Sequence, residues 1–288
     1  VLIAGPTASG KSALAVEKAQ ALGGVVINAD AMQVYDVLRL LTARPSRGDM
    51  AGVPHLLYGS VSPAVRFSTG EWLRAVAGLV AEQGDRPLVF VGGTGLYFDA
   101  LQKGFADVPE VPPEVVAEVE AELAGLDGAA RGRLIAERDP ETAALLRAPD
   151  PQRVARALAV MKATGRSLAS FQSTATRGLL DGYELERIIL NPERDVLRGR
   201  IADRFVSMLD EGAVAEVQDL LALNLDPKLP SMKAIGVREI SAWLAGDLSR
   251  EEMVERAVIA TRQYAKRQRT WFRGRMADWT WIGAGGVT

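Results

Sequence analysis

The chain of 288 residues contains no cysteine. That absence removes disulfides, thiolate metal sites and cysteine nucleophiles, and it is compatible with a reducing compartment. Also missing is any uninterrupted apolar run of the ~18 residues that a membrane span requires. The first residues carry no basic stretch of the kind that opens a signal peptide. We therefore expect a soluble, cytoplasmic protein that stays off membranes. A dominant charge is lacking too. Lys and Arg total 34 against 36 Asp and Glu, a formal net charge of -2, so any nucleic-acid surface has to be local. Internal repeats and low-complexity tracts are absent.

What is present suffices, at 48% hydrophobic residues, to bury a full core. Short β-rich apolar runs bounded by Gly or Pro stand at Val1–Ala4, Val25–Asn28, Leu88–Val91 and Leu185–Leu190. Helical patterns such as Ser12–Leu22 and Glu71–Glu82 separate them. This alternation predicts an α/β fold, a mostly parallel sheet flanked by helices. From Gln102 to Arg177 the pattern is helical throughout, with Pro112, Pro113, Gly125, Pro140, Pro149 and Gly165 as start and stop signals. We expect a core of residues 1–101 and 178–288, interrupted by an all-helical insertion at 102–177. Pro192 to Arg275 is again largely helical.

Gly5-Pro6-Thr7-Ala8-Ser9-Gly10-Lys11-Ser12 satisfies G-x-x-x-x-G-K-[ST] between an apolar strand and an amphipathic helix, the context that a phosphate loop needs. Its glycines let backbone N–H groups turn towards an anion at the helix N-terminus, Lys11 adds a point charge, and the Ser12 hydroxyl can ligate Mg²⁺. The motif predicts a P-loop NTPase-like core without saying whose phosphates it holds. Leu88–Val91 ends in Gly92-Gly93-Thr94-Gly95 rather than in the acid of a nucleotide-hydrolysing motor. That turn either admits a ligand close to the backbone or is simple turn chemistry. The nearest carboxylate, Asp30, follows Val25–Asn28 at the carboxyl edge where α/β sheets bind ligands. On spacing alone it is a proton acceptor, a metal ligand through water, or the cap of a following helix.

Between Arg256 and Arg275 there are seven Lys or Arg and no acid, with Arg262, Lys266, Arg269 and Arg273 at helical spacing and Tyr264, Trp271 and Phe272 interleaved. A basic stripe with aromatic neighbours suits an RNA backbone and its bases. It equally suits a membrane surface, a partner helix, or core aromatics beneath solvated charges.

The phosphate loop, Asp30-Ala31-Met32-Gln33-Val34-Tyr35 and Val91-Gly92-Gly93-Thr94-Gly95-Leu96-Tyr97 together resemble the tRNA dimethylallyltransferases. Further matches are Gln152-Arg153-Val154-Ala155-Arg156-Ala157-Leu158, Met232-Lys233-Ala234-Ile235-Gly236, Thr261 to Gln268 and Thr270-Trp271-Phe272-Arg273. The likeness runs in order over nearly the whole chain. It implies transfer of a dimethylallyl group from dimethylallyl diphosphate to N6 of the adenosine immediately 3′ of the anticodon, with diphosphate released. By the same resemblance Gly5, Pro6, Thr7, Ala8, Ser9, Gly10, Lys11 and Ser12 hold the prenyl diphosphate, Ser12 with Mg²⁺, and Asp30 is the base. Thr7 and Arg200 face the diphosphate, Arg204 one turn later competing with Arg200. The tRNA anticodon stem-loop meets Asp30, Ala31, Met32 and Gln33, then Gln152, Arg153, Val154, Ala155 and Arg156 of the insertion, then Lys233, Arg238, Arg262, Lys266 and Arg267. We expect a monomer. Two other readings remain: a small-molecule or nucleoside-monophosphate kinase, which consumes ATP, and a nucleotide-gated RNA-binding module without group transfer.

Overall fold

The computed structural model describes residues 1–106, 108–173 and 177–283. In chain order it runs β1 (Leu2–Ala4), α1 (Lys11–Leu22), β2 (Val25–Asn28), α2 (Arg47–Met50), β3 (His55–Leu56), α3 (Thr69–Gln83), β4 (Leu88–Gly92) and α4 (Gly95–Lys103). Then follow α5 (Pro113–Leu123), α6 (Gly128–Arg138), α7 (Pro140–Leu145), α8 (Pro151–Thr164) and α9 (Leu168–Gln172). The chain continues with β5 (Arg187–Leu190), α10 (Arg194–Asp210), α11 (Ala213–Ala222), a 3-10 turn at Ser231–Lys233, α12 (Val237–Leu244), α13 (Arg250–Arg275) and β6 (Thr280–Ile282).

The strands form one sheet in the order β3-β2-β4-β1-β5-β6, every pairing parallel. Every residue of β1 and β2 is buried, which is why these strands read as continuous apolar runs instead of alternating ones. Ala4 pairs with Gly92 on one side and Ile189 on the other, and Asn28 pairs with Val91. The loops leaving β1, β2 and β4 therefore emerge together at the carboxyl edge. Edge strands β3 and β6 escape sequence reading because they are short and only half-buried or exposed, so they do not stand out as buried apolar runs.

Chain Val1–Ala100 with Gly182–Thr288 makes one unit and Leu101–Asp181 a second. In the first, α1 packs Leu14, Ala15 and Val16 with Ile3, Val26 and Val89 of the sheet. Helices α10 to α13 bury a further cluster around Leu197, Ile201, Phe205, Val217, Ile240 and Met253. Ser249 begins α13 with a capping box to Glu252, satisfying N–H groups that the first turn leaves free.

The second unit closes its helices over Val119, Leu123, Ile135, Val154, Leu158 and Phe171. Its fully buried Asp139 caps α7 through the Thr142 N–H at 3.0 Å and accepts the Ser167 hydroxyl at 2.6 Å. Burial alone raises the pKa of such a carboxyl, but these donors outweigh it and hold it below its ordinary value. Among the described residues no helix is long and apolar enough to cross a membrane.

Candidate active site

The phosphate loop runs from the end of β1 into α1. Ala8 (φ 63°) and Gly10 (φ 92°) lie in the left-handed region, so the backbone curls its N–H groups inward to form an anion nest ahead of the helix N-terminus. The Ser9 hydroxyl is buried inside this curl without a protein partner. Lys11 heads α1, half-buried, and its pKa is pushed down to about 8, chiefly by burial, with Asp30 opposing and Arg204 adding to the shift.

A guanidinium from α10 reaches the loop. Arg204 donates to the Thr7 hydroxyl, and burial lowers its pKa while the Asp30 charge raises it. Arg200, expected to face the diphosphate, is exposed. The arginine at the phosphate loop is therefore Arg204. The two lie one turn apart on the same face of the helix, and it is Arg204 that lies level with Thr7.

Asp30 is held by a lattice of short-range bonds. The fully buried Asn28 accepts the Asp30 N–H at 2.9 Å and donates to the carbonyls of Asp30 and Leu57, both at 3.0 Å. The Trp72 indole donates to the Asn28 carbonyl at 2.9 Å and stacks on Tyr97 at 4.0 Å. One Asp30 carboxylate oxygen accepts the Met32 N–H at 3.0 Å. No helix follows, since α2 begins only at Arg47, so the helix-cap alternative is removed. The Asp30 charge acts on Lys11 and Arg204, and on the phenols of Tyr58, Tyr97 and Tyr264, whose pKa values burial and then this carboxylate raise.

The glycine turn after β4 is built for close approach. A Cβ on Gly92 would lie 1.9 Å from the Ala29 carbonyl oxygen, and one on Gly93 would lie 2.1 Å from the Gln268 side-chain nitrogen and 3.2 Å from an Asp30 carboxylate oxygen. Thr94 then locks the turn to the Asp30 loop. Its N–H donates to Ala29 at 3.2 Å and its hydroxyl accepts the Ala31 N–H at 2.9 Å.

Gln268 of α13, to which sequence reading gave no role beyond its place in the matching segment, belongs to this site. It is 5% exposed, accepts the Thr7 N–H at 2.9 Å and donates to the Gly93 carbonyl at 2.9 Å. A signal existed. Ala257, Ala265, Gln268 and Phe272 share the buried face of α13, so Gln268 is a polar interruption in an apolar stripe, and such interruptions are paired. On the outer side Arg262, Lys266, Arg267 and Arg273 are exposed, while Phe272 is fully buried. Gln263, Lys266, Arg267, Thr270 and Trp271 line a groove of about 570 Å³.

Other expected positions divide. Ala31 and Met32 are half-buried beside Asp30. Gln33 is buried, and its side-chain nitrogen donates to the carbonyls of Thr42 and Ala43 at 2.8 and 3.0 Å, so that end of the amide staples a loop. Lys233 and Arg238 are exposed, at the 3-10 turn and in the first turn of α12. In the second unit Asp150 caps α8 through the N–H groups of Gln152 and Arg153. Gln152, Arg153 and Arg156 are exposed and Ala155 half-buried. Val154 is fully buried in that unit's core, which corrects its expected contact with tRNA. Among the described residues no cluster of three or more His, Asp or Glu could cage a metal. Ser12, half-buried in the first turn of α1, offers a lone hydroxyl, which suits a Mg²⁺ that would take most of its ligands from phosphate and water.

Parallel strands that bring a phosphate loop, one carboxylate and one buried-side arginine to a single edge define the class: a P-loop α/β enzyme of group transfer. Residues 33–275 match the family model for IPP transferase, and residues 1–58 match that for isopentenyl transferase. The tRNA dimethylallyltransferase of Rhizobium meliloti (strain 1021) is 52% identical over 283 residues, 98% of this chain and 93% of that one. The chain belongs to the IPP transferase family. The full-length tRNA isopentenylpyrophosphate transferase of Bacillus halodurans superposes with a TM-score of 0.69 at 34% identity, covering 98% of this chain and 88% of the other. A eukaryotic dimethylallyltransferase captured acting on tRNA gives a TM-score of 0.82 at 26% identity, over 98% and 73% of the two chains.

Proposed function

We infer that this protein transfers the dimethylallyl group of dimethylallyl diphosphate to N6 of the adenosine immediately 3′ of the anticodon in tRNA, releasing diphosphate. The observation that carries the reading is the placement of one carboxylate, Asp30, beside an anion nest with Lys11 and Arg204, all at one sheet edge.

An exocyclic adenine amine is a weak nucleophile, so it has to be aligned with the allylic carbon and relieved of a proton as the new bond forms. N6 attacks that carbon, the carbon–oxygen bond to the diphosphate breaks, and Asp30 takes the N6 proton. The charge that grows on the leaving diphosphate meets the loop N–H groups, Lys11, Arg204 and the hydroxyls of Thr7 and Ser9. Thr7 accepts from Arg204 and so keeps its own proton to donate. Ser12 is the residue that would hold a Mg²⁺ here, and the ion would supply further neutralisation of the leaving group. The target base leaves its stack to reach Asp30. Arg262, Lys266 and Arg267 on α13, and Gln152, Arg153 and Arg156 on α8, hold the surrounding RNA. The protein works as a cytoplasmic monomer.

The test is to incubate the protein with Mg²⁺, dimethylallyl diphosphate and unmodified tRNA, then digest the RNA and look by mass spectrometry for adenosine carrying one five-carbon unit. Product without ATP supports transfer. ATP consumption on a small acceptor with unmodified RNA turns the assignment to a kinase. If Asp30→Asn leaves product formation intact, Asp30 is not the base. An RNA that binds but is never modified points to a binding module.

A further inference from the structure

We infer that Gln268 is a positioning residue for this reaction: its side-chain amide sets the distance between the phosphate loop and the turn against which Asp30 rests. The inference rests on the transferase reading.

The amide bridges two loops of the same edge. Its oxygen takes the Thr7 N–H and its nitrogen gives to the Gly93 carbonyl, each at 2.9 Å. Only one orientation of the amide satisfies both, because an N–H needs an acceptor and a carbonyl needs a donor. Each end touches one half of the chemistry. Thr7 carries the hydroxyl paired with Arg204, on the leaving-group side. Gly93 sits against the Asp30 carboxylate, and its neighbour Thr94 binds the Ala31 N–H. A bridge from Thr7 through Gln268 to Gly93 and Thr94 thus ends at the loop that carries the base.

Burial makes the bridge stiff. Gln268 is 5% exposed, so water does not readily replace either bond, and Phe272 and Ala265 of the same helical face are buried with it. Lys266 and Arg267, directly before it, are exposed. One short segment therefore presents cations outward and a rigid strut inward, so that a load on the helix from docked RNA bears on the spacing of base and leaving group.

The experiment compares wild type with Gln268→Met, which keeps the volume but removes both bonds, and Gln268→Glu, which keeps an acceptor for Thr7 but loses the donor to Gly93. Folding is checked by circular dichroism, and kcat and KM are measured with dimethylallyl diphosphate and tRNA. Amide hydrogen exchange is followed at Thr7. We expect kcat to fall ~100-fold, the cost of misplacing reacting groups by a fraction of their contact distance. The KM for tRNA should move less than about threefold, because uniform binding is untouched. Thr7 should exchange faster in Gln268→Met. Retained kcat in a folded variant overturns the proposal, as does a loss confined to the KM for tRNA, which makes Gln268 part of the RNA surface. If Gln268→Met does not fold, Gln268→Glu decides. Wild type that makes no prenylated adenosine is a different result, because it removes the transferase reading and not merely the strut.

Discussion

Arg204 donates a hydrogen bond to the Thr7 hydroxyl, joining α10 to the phosphate loop across 197 positions of sequence. The guanidinium has five N–H donors in a fixed fork, so it can hold Thr7 and still meet the oxygens of a diphosphate. Removing it should cost transition-state stabilisation more than binding. Arg204→Ala is expected to lower kcat/KM for dimethylallyl diphosphate by ~10²–10³, the usual loss of one donor to developing charge. Arg204→Lys should recover only part of this, since a single ammonium cannot span both partners. The exposed Arg200→Ala should stay within about twofold of wild type. Steady-state kinetics on the three variants checks the assignment, and a loss at Arg200 equal to that at Arg204 refutes it.

Lys11 has a folded pKa of about 8 against an ordinary 10.5. Below about 8 the protein carries a charge that burial disfavours, and between about 8 and 10.5 the unfolded chain binds more protons than the folded one. Stability from this group therefore rises with pH across that window. Lys11→Met should raise the melting temperature at pH 7, and the gain should shrink as pH approaches 10.5. Under the proposed function the same charge would attract the diphosphate. Affinity of wild type for dimethylallyl diphosphate should fall as pH rises through about 8, and calorimetry in buffers of different ionisation enthalpy should show proton uptake on binding there. Melting curves in which Lys11→Met is less stable at pH 7 contradict the argument.

How much of this was legible in the sequence depended on the range of the interaction. The phosphate loop is a local motif, and strands β1, β2, β4 and β5 announce themselves as buried apolar runs. The choice between Arg200 and Arg204 is not local, because both sit on α10 and only the place of the β1 loop decides which faces inward. Val154 is expected on RNA because it falls within the segment that resembles the family, yet helical rotation puts it with Leu158 in the core of its unit. Gln33 and Gln268 share one lesson. Both stand in segments that carry the family resemblance, and in both the amide nitrogen is taken by backbone carbonyls, of Thr42 and Ala43 for Gln33 and of Gly93 for Gln268, pairings that only the fold brings within reach.

Charge on α13 should show in salt dependence more than in turnover. Lys266 and Arg267 are exposed beside the groove that also holds Trp271, so under the proposed function they would meet RNA at phosphates or unstacked bases. Lys266→Ala and Arg267→Ala should each weaken tRNA binding and reduce the slope of log K against log salt by about 1. At saturating tRNA the kcat should be unchanged. Binding titrations over a range of salt measure this, and a slope equal to wild type in both variants removes these residues from the interface.

Gly93→Ala probes the bridge from its other end. The added methyl would lie 2.1 Å from the Gln268 side-chain nitrogen and 3.2 Å from an Asp30 carboxylate oxygen. A free side-chain tip yields easily to such a clash, but this one is fixed by Thr7 and by the Gly93 carbonyl itself. Displacing it strands a backbone donor and a backbone acceptor, so we expect a loss of about 1–3 kcal/mol in urea unfolding. In a Gln268→Ala background the obstructing amide is gone. The cost of Gly93→Ala should then shrink by about 1 kcal/mol or more, a coupling of the size seen between residues in contact. Turnover should stay low in both single variants and in the double one, because the strut is missing in each. An equal cost of Gly93→Ala in both backgrounds means that the methyl never meets Gln268, and that the turn and the helix are held to the phosphate loop by other contacts.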